Sequence, residues 1–168
     1  MKYTRKRLQP LAEAKTDELM NIIIDTREKK ISHITKWFDE NNIGYSFKKL
    51  DEGDYQLEEF NGITIDRKKG LNEMCSCLSS ERGRFMREVK RCAKNKEKLI
   101  VLIEQGGSYK GIEDVKNWKN KYGYITPQEL RERLYKLHIG YGVEILFCDK
   151  RTTARRIKEL LKDENRQG

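Results

Sequence analysis

A chain of 168 residues has room for one domain with a real hydrophobic core. Charged side chains make up 38% of it, against roughly 25% in an average soluble chain, and Lys and Arg outnumber Asp and Glu 36 to 27, a formal charge of +9. That excess favours a polyanionic partner, of which nucleic acid is the commonest. No run approaches the roughly 18 apolar residues of a membrane span, and the opening MKYTRKRLQPLAEAK lacks the apolar stretch of a signal peptide, so a cytoplasmic chain is expected. Cys75 and Cys77 are too close for a relaxed disulfide, while Cys92 and Cys148 stand alone. Without a CxxC or paired histidines, buried reduced thiols are expected rather than zinc.

In chain order, residues 1–18 read as a basic arm carrying Arg5, Lys6 and Arg7, ahead of one domain over 19–168. LMNIIID (19–25) is a compact apolar run suited to a buried strand. Residues 30–41 place Ile31, Ile34, Trp37 and Phe38 at helical spacing, and IGYSFKKL (43–50) alternates Ile43, Tyr45 and Phe47 as a strand with one apolar face. A hairpin over 53–68 follows. Leu71, Met74, Cys75 and Leu78 share a helical face in 70–78, RGRFMREVKRCAKNK (82–96) is a second helix, and KLIVLIE (98–104) is another buried strand. Within 114–124 a short helix is expected. Thr126, Pro127 and Glu129 spell an N-cap, an N1 proline and a capping box, opening a helix with a stripe of Leu130, Leu134, Leu137 and Tyr141. VEILFC (143–148) is a strand, and 152–163 a last helix packing on Ala154, Ile157, Leu160 and Leu161. The expected fold is α/β, a central mixed sheet flanked by helices on both faces, with strands 98–104 and 143–148 parallel.

The hairpin GDYQLEEFNGITIDRKKG carries the chemistry. Along its second strand Ile63 and Ile65 share one face, and Thr64, Asp66 and Lys68 share the other. A two-residue Asn-Gly turn would oppose Leu57 and Asp66, which the pattern resists. A three-residue loop, Phe60-Asn61-Gly62 with Gly62 in the left-handed region, pairs Glu58 with Thr64 and Asp54 with Lys68, and both faces agree. Asp54, Asp66 and Lys68 then point the same way, within about 5–8 Å by cross-strand spacing. Two such carboxylates repel unless a cation sits between them, and a hard ion such as Mg²⁺ prefers their oxygens. A neighbouring lysine can hold a metal-bound water, and the metal lowers that water's pKa and neutralises a phosphate under attack. An exposed hairpin with weak cross-strand ion pairs would show the same residues.

The order IIIDTRE, GDY, IDRK, an apolar helix and KLIVLIE resembles the nuclease domain of the XPF family, structure-specific DNA endonucleases of restriction-endonuclease-like fold. The resemblance runs from about residue 21 to 104 and, more weakly, into VEILFCDKRTTARRIKELL. Gly53-Asp54 matches the family's Gly-Asp, and Asp66-Arg67-Lys68 its Glu-Arg-Lys with Asp for Glu; Asn72, followed by Glu73, stands where the family has a final Asp. The resemblance implies Mg²⁺- or Mn²⁺-dependent cleavage of DNA near flaps, forks or junctions, in repair, recombination or a phage-encoded role. It implies Asp54 and Asp66 as metal ligands with the Arg67 backbone carbonyl and Glu28, Lys68 as the residue orienting the attacking water, and Asp25, Arg27 and Glu28 as supporting catalytic residues. The chain looks like the short, stand-alone versions without helix-hairpin-helix domains, so DNA grip must come from the domain itself, a homodimer or a partner protein.

Arg84, Arg87, Arg91 and Lys94, with Lys98 beyond, recur every three or four residues opposite Phe85, Val89 and Cys92, a stripe expected to contact DNA phosphates. Arg151, Arg155, Arg156, Lys158 and Lys162 form a second basic surface. His33 and His138 read as packed or exposed rather than as ligands, and Trp37 and Trp118 as core or partner contacts. Two alternatives share the fold: a non-catalytic DNA-binding or scaffold subunit, and a junction-resolvase or restriction-type nuclease.

Overall fold

The computed structural model describes residues 20–120 and 125–163; the expected basic arm and the end of the expected 114–124 helix lie outside them. Six strands form one sheet: β1 (Asn21–Ile24), β2 (Gly44–Phe47), β3 (Tyr55–Leu57), β4 (Ile63–Lys68), β5 (Lys98–Glu104) and β6 (Glu144–Cys148), in the order β2-β1-β3-β4-β5-β6. β1 and β2 pair in parallel, as do β4, β5 and β6, while β3 is antiparallel to both of its neighbours. Five strands therefore point one way and β3 alone is reversed.

The sheet divides two cores. β5 sends Leu99, Val101 and Ile103 to one face and Ile100 and Leu102 to the other, all buried, which is why its sequence is apolar without alternation. On one face lie α1 (Ser32–Glu40), through Ile34 and Phe38, and α5 (Thr153–Lys162), through Ala154, Ile157, Leu160 and Leu161. On the other lie α2 (Leu71–Cys77), α3 (Arg82–Lys94) and α4 (Pro127–Tyr141). Each fully buried aliphatic or aromatic side chain contributes about 1.5–3 kcal/mol. α4 starts as its sequence predicts: Thr126 Oγ1 accepts the Glu129 N–H at 3.1 Å, and the Glu129 carboxylate accepts the Thr126 N–H at 3.0 Å.

Four expectations are corrected. The hairpin pairs Tyr55 with Ile65, not Glu58 with Thr64 or Asp54 with Lys68, so its loop is Glu58–Gly62, five residues rather than three. The shift is two residues, so each side chain keeps its face; Gln56 Nε2 donates to Thr64 Oγ1 at 2.9 Å and pins the observed register. Gly62 adopts φ +85° as expected. The helix expected within 114–124 is a 3₁₀ turn at Ile112–Asn117, preceding Trp118, which is buried. Phe47 is 54% exposed because β2 is an edge strand covered on one side only. Tyr141, at the end of α4, is exposed rather than part of its buried stripe.

Candidate active site

Because only β3 is reversed, the carboxyl ends of β1, β4, β5 and β6 and the amino end of β3 share one edge of the sheet. Asp25 follows β1, Asp54 precedes β3, Asp66 and Lys68 end β4, and Glu104 ends β5. A cleft of about 340 Å³ opens there beneath α3, and Asp25, Arg27, Glu28, Asp54, Asp66, Arg67 and Lys68 all line it.

Gly53 sets the position of Asp54. Its φ of +67° suits glycine, and a Cβ would lie 2.2 Å from Thr64 Cγ2 and 2.9 Å from the Ile65 carbonyl oxygen. The Gly53 N–H donates to Glu88 Oε1 at 2.7 Å. Asp54 then donates its N–H to the Ile65 carbonyl and accepts the Asp25 N–H through its own carbonyl, both at 2.8 Å. The Asp54 side chain takes a further β4 donor: its Oδ2 accepts the Arg67 N–H at 2.8 Å. Asp54 and Asp66 line the same cleft, close enough for the Asp66 charge to act on Asp54.

Two acids this close cannot both ionise cheaply. Burial, then the Asp66 and Glu28 charges, push Asp54 well above the usual carboxyl range. Glu88 is half-buried; desolvation, then the Asp66 charge, push it up to about 7, although the Gly53 N–H pulls the other way. The Lys68 ammonium lies 3.1 Å from Asp66 Oδ2 and 5.3 Å from the centre of the Phe85 ring. Burial works against its charge, but Asp66 prevails and holds the lysine above its ordinary value, so it stays protonated.

The expected supporting acids are largely committed. Both Asp25 oxygens are taken, by the Arg27 N–H and guanidinium and the Leu50 N–H, at 2.8–2.9 Å. The Arg27 hydrogen bond outweighs burial and holds Asp25 at about 2, making it a brace between β1 and the loop before Gly53. Glu28 Oε2 accepts the Tyr55 hydroxyl at 2.7 Å and Arg67 Nε at 2.8 Å. The buried Arg67 guanidinium also donates to the Lys29 carbonyl at 2.9 Å and lies 3.3 Å from Glu104. Glu104 in turn meets His33 Nε2 at 2.9 Å and accepts the Thr153 hydroxyl at 2.7 Å. This buried charge network is the rear wall of the cleft.

On α3, Arg84 and Arg91 line the cleft, and Arg87 and Lys94 are exposed. Arg91 is already engaged: its Nη2 lies 3.1 Å from Oε2 of the buried Glu52. At the position of the family's final acid, Glu73 rather than Asn72 lines the cleft, accepting the Lys69 N–H at 2.7 Å. Sequence reading missed Glu88, Glu52 and Glu104. The signal for Glu88 was an acid one turn from both Arg84 and Arg91 on a basic face.

Among the described residues no three His, Cys, Asp or Glu side chains are arranged as a ready metal cage. The donor set still suits a hard cation that keeps several waters, because the Asp54 and Asp66 carboxyls line one cleft and hard ions prefer carboxylate oxygens.

Solved structures carry the same fold. XPF from Aeropyrum pernix superposes with a TM-score of 0.64 at 20% identity, covering 84% of this chain and 60% of that one. XPF from the same organism in complex with DNA superposes with a TM-score of 0.62 at 20% identity, covering 85% and 64%. This chain thus spans less than two thirds of either structure's length. The architecture, a mixed six-stranded sheet with helices on both faces, is the α/β fold of those XPF structures. The profile described as the ERCC4 domain matches residues 24–160, and the chain belongs to that family. Comparison with curated proteins gave no match.

Proposed function

We propose that the protein is a metal-dependent DNA endonuclease selective for flap, fork or junction DNA. The observation that carries this reading is the convergence of Asp54, Asp66 and Lys68 in one cleft, with Arg84 on its rim. Asp54 and Asp66 would hold Mg²⁺ or Mn²⁺, with the Arg67 carbonyl beside them. When bound, that ion supplies charge neutralisation at the phosphate and a lowered pKa for its water. Lys68, locked as an ammonium by Asp66, is a donor and not a base. It orients a water through a lone pair and offsets charge growing on the phosphoryl oxygens. Glu88, titrating about 7, can take up a proton near neutral pH and also fixes the Gly53 turn. Glu28 acts through Arg67 and Tyr55, holding β4 in place; Asp25 and Arg27 brace the loop.

The test is incubation with Mg²⁺ or Mn²⁺ and a panel of duplex, flap, fork, four-way and single-stranded DNAs. Asp66→Asn and Lys68→Ala are each expected to lower cleavage at least a hundredfold, roughly the share one positioned proton-transfer or electrostatic group supplies, while DNA is still bound. Undiminished cleavage by Asp66→Asn, or in the presence of chelator, overturns the reading.

A further inference from the structure

A second cleft of about 480 Å³ lies at the carboxyl ends of the parallel strands β4, β5 and β6. Arg67 and Lys69 line both clefts, so the two openings adjoin. Lys30, Lys150 and Arg151 complete a basic rim around the second. Its two acids are engaged within the fold, and Asp149 Oδ1 also lies 3.8 Å from Arg151 Nε. Glu104 Oε2 is shared among His33, Arg67 and Thr153, and Asp149 Oδ1 accepts the N–H groups of Arg151 at 2.8 Å and Thr152 at 3.2 Å. Lys30, Lys69 and Lys150 are exposed and make no ion pair among the described residues. Three unpaired ammoniums around a concavity are an anion site in search of its ligand.

We infer that this second cleft seats the sugar-phosphate backbone of a single-stranded DNA arm leaving the catalytic cleft across Lys69, an inference that rests on the nuclease reading. Its volume is in the range of about 300–1,000 Å³ typical of small-ligand sites, room for a short stretch of one strand, and it joins the catalytic cleft through Arg67 and Lys69. The site lies outside the expected α3 stripe, and its basic residues add to Arg84 of the adjoining catalytic cleft. A substrate with a free arm would then gain contacts that a plain duplex lacks, which is a physical route to structure selectivity.

The experiment uses the full chain in chelator, with a labelled oligothymidylate and a flap DNA titrated across a salt series. Each lysine contact on a single strand contributes about 0.7 to the log–log salt slope, so Lys30→Gln/Lys69→Gln/Lys150→Gln is expected to flatten it by about 2. From parity at 1 M salt, that slope difference gives about a hundredfold weaker binding at 0.1 M. Lys110→Gln/Lys116→Gln/Lys119→Gln, an equal charge change outside both clefts, is expected to leave slope and affinity unchanged, and with metal Lys30→Gln/Lys150→Gln is expected to raise KM for flap DNA more than for duplex. A folded cleft triple variant, by circular dichroism, that binds like the wild type overturns this inference alone, as does an equal loss in the control. A wild type that binds no DNA overturns the nuclease reading with it.

Discussion

Gly53→Ala tests how the fold places its central acid. At φ +67° an L-residue costs about 1–2 kcal/mol through its Cβ. That Cβ would also sit 2.2 Å from Thr64 Cγ2 and 2.9 Å from the Ile65 carbonyl. Thr64 is fully buried with its hydroxyl held by Gln56, and Ile65 belongs to a paired strand, so neither neighbour can yield cheaply. Overpacking of this kind adds about 1–3 kcal/mol, for a total of about 2–5 kcal/mol. Gly62 supplies the internal control: its φ is +85°, but nothing lies within 4 Å of a Cβ there, so Gly62→Ala should cost only the backbone part, about 1–2 kcal/mol. Urea unfolding of the three proteins at equal slope measures the difference. Because relief of the clash must push the 51–54 loop away from β4, Gly53→Ala should also cut DNA cleavage beyond its stability loss, and Gly62→Ala should not. Equal destabilisation by the two substitutions would refute the reasoning.

Other consequences can be measured with the same material. The folded Glu88 titrates about 7 against an ordinary 4.5, so the stability that its protonated form contributes is fully present below pH 4.5 and lost as pH rises through 7. Glu88→Gln keeps an acceptor for the Gly53 N–H, and should gain about 1–3 kcal/mol on wild type between pH 5 and 8, allowing for screening at a partly exposed carboxyl; parallel pH curves in metal-free urea melts would contradict this. Arg67→Met leaves Glu28 and Glu104 facing each other without their cation, and should cost about 3–5 kcal/mol by denaturant titration. Mg²⁺ or Mn²⁺ at a hundred times its Kd should stabilise the wild type by about 2.7 kcal/mol and leave Asp54→Asn/Asp66→Asn unmoved, as read by thermal melts with and without chelator.

What the sequence discloses, and what it hides, follows from the range of the forces involved. β5 is legible because KLIVLIE is apolar on both faces, as a central strand must be, and α4 because its cap is local chemistry. Asp54, Asp66 and Lys68 are legible as one group because alternation fixes which face each takes. Their register is not, since alternation fixes only parity, and a shift of two residues satisfies it equally. The Gln56–Thr64 and Glu28–Tyr55 bonds, with the carbonyl of Ile65, decide it in the fold. Glu88 and Glu52 stay hidden for a related reason: an acid near arginines on a helix face, or an acid in a loop, reads as solvated until the path of α3 over the sheet is known. That path brings the exposed Arg91 against the buried Glu52, so a stripe that reads as four free cations presents three.

The bend joining β3 to β4 hangs at the end of the ribbon farthest from the acids, exposed over Glu58–Phe60 and tied down by Asn61 to the Leu161 carbonyl at 2.7 Å. Whatever is spliced into it between Glu59 and Phe60 lengthens the distance from Asp54 to Asp66 along the chain without moving either atom in space. A peptide tag grafted there would make a handle for immobilising the protein with its notch facing outward. Residue counts between the two aspartates therefore measure the ornament on the tip, and hold no information about the gap between their carboxyls.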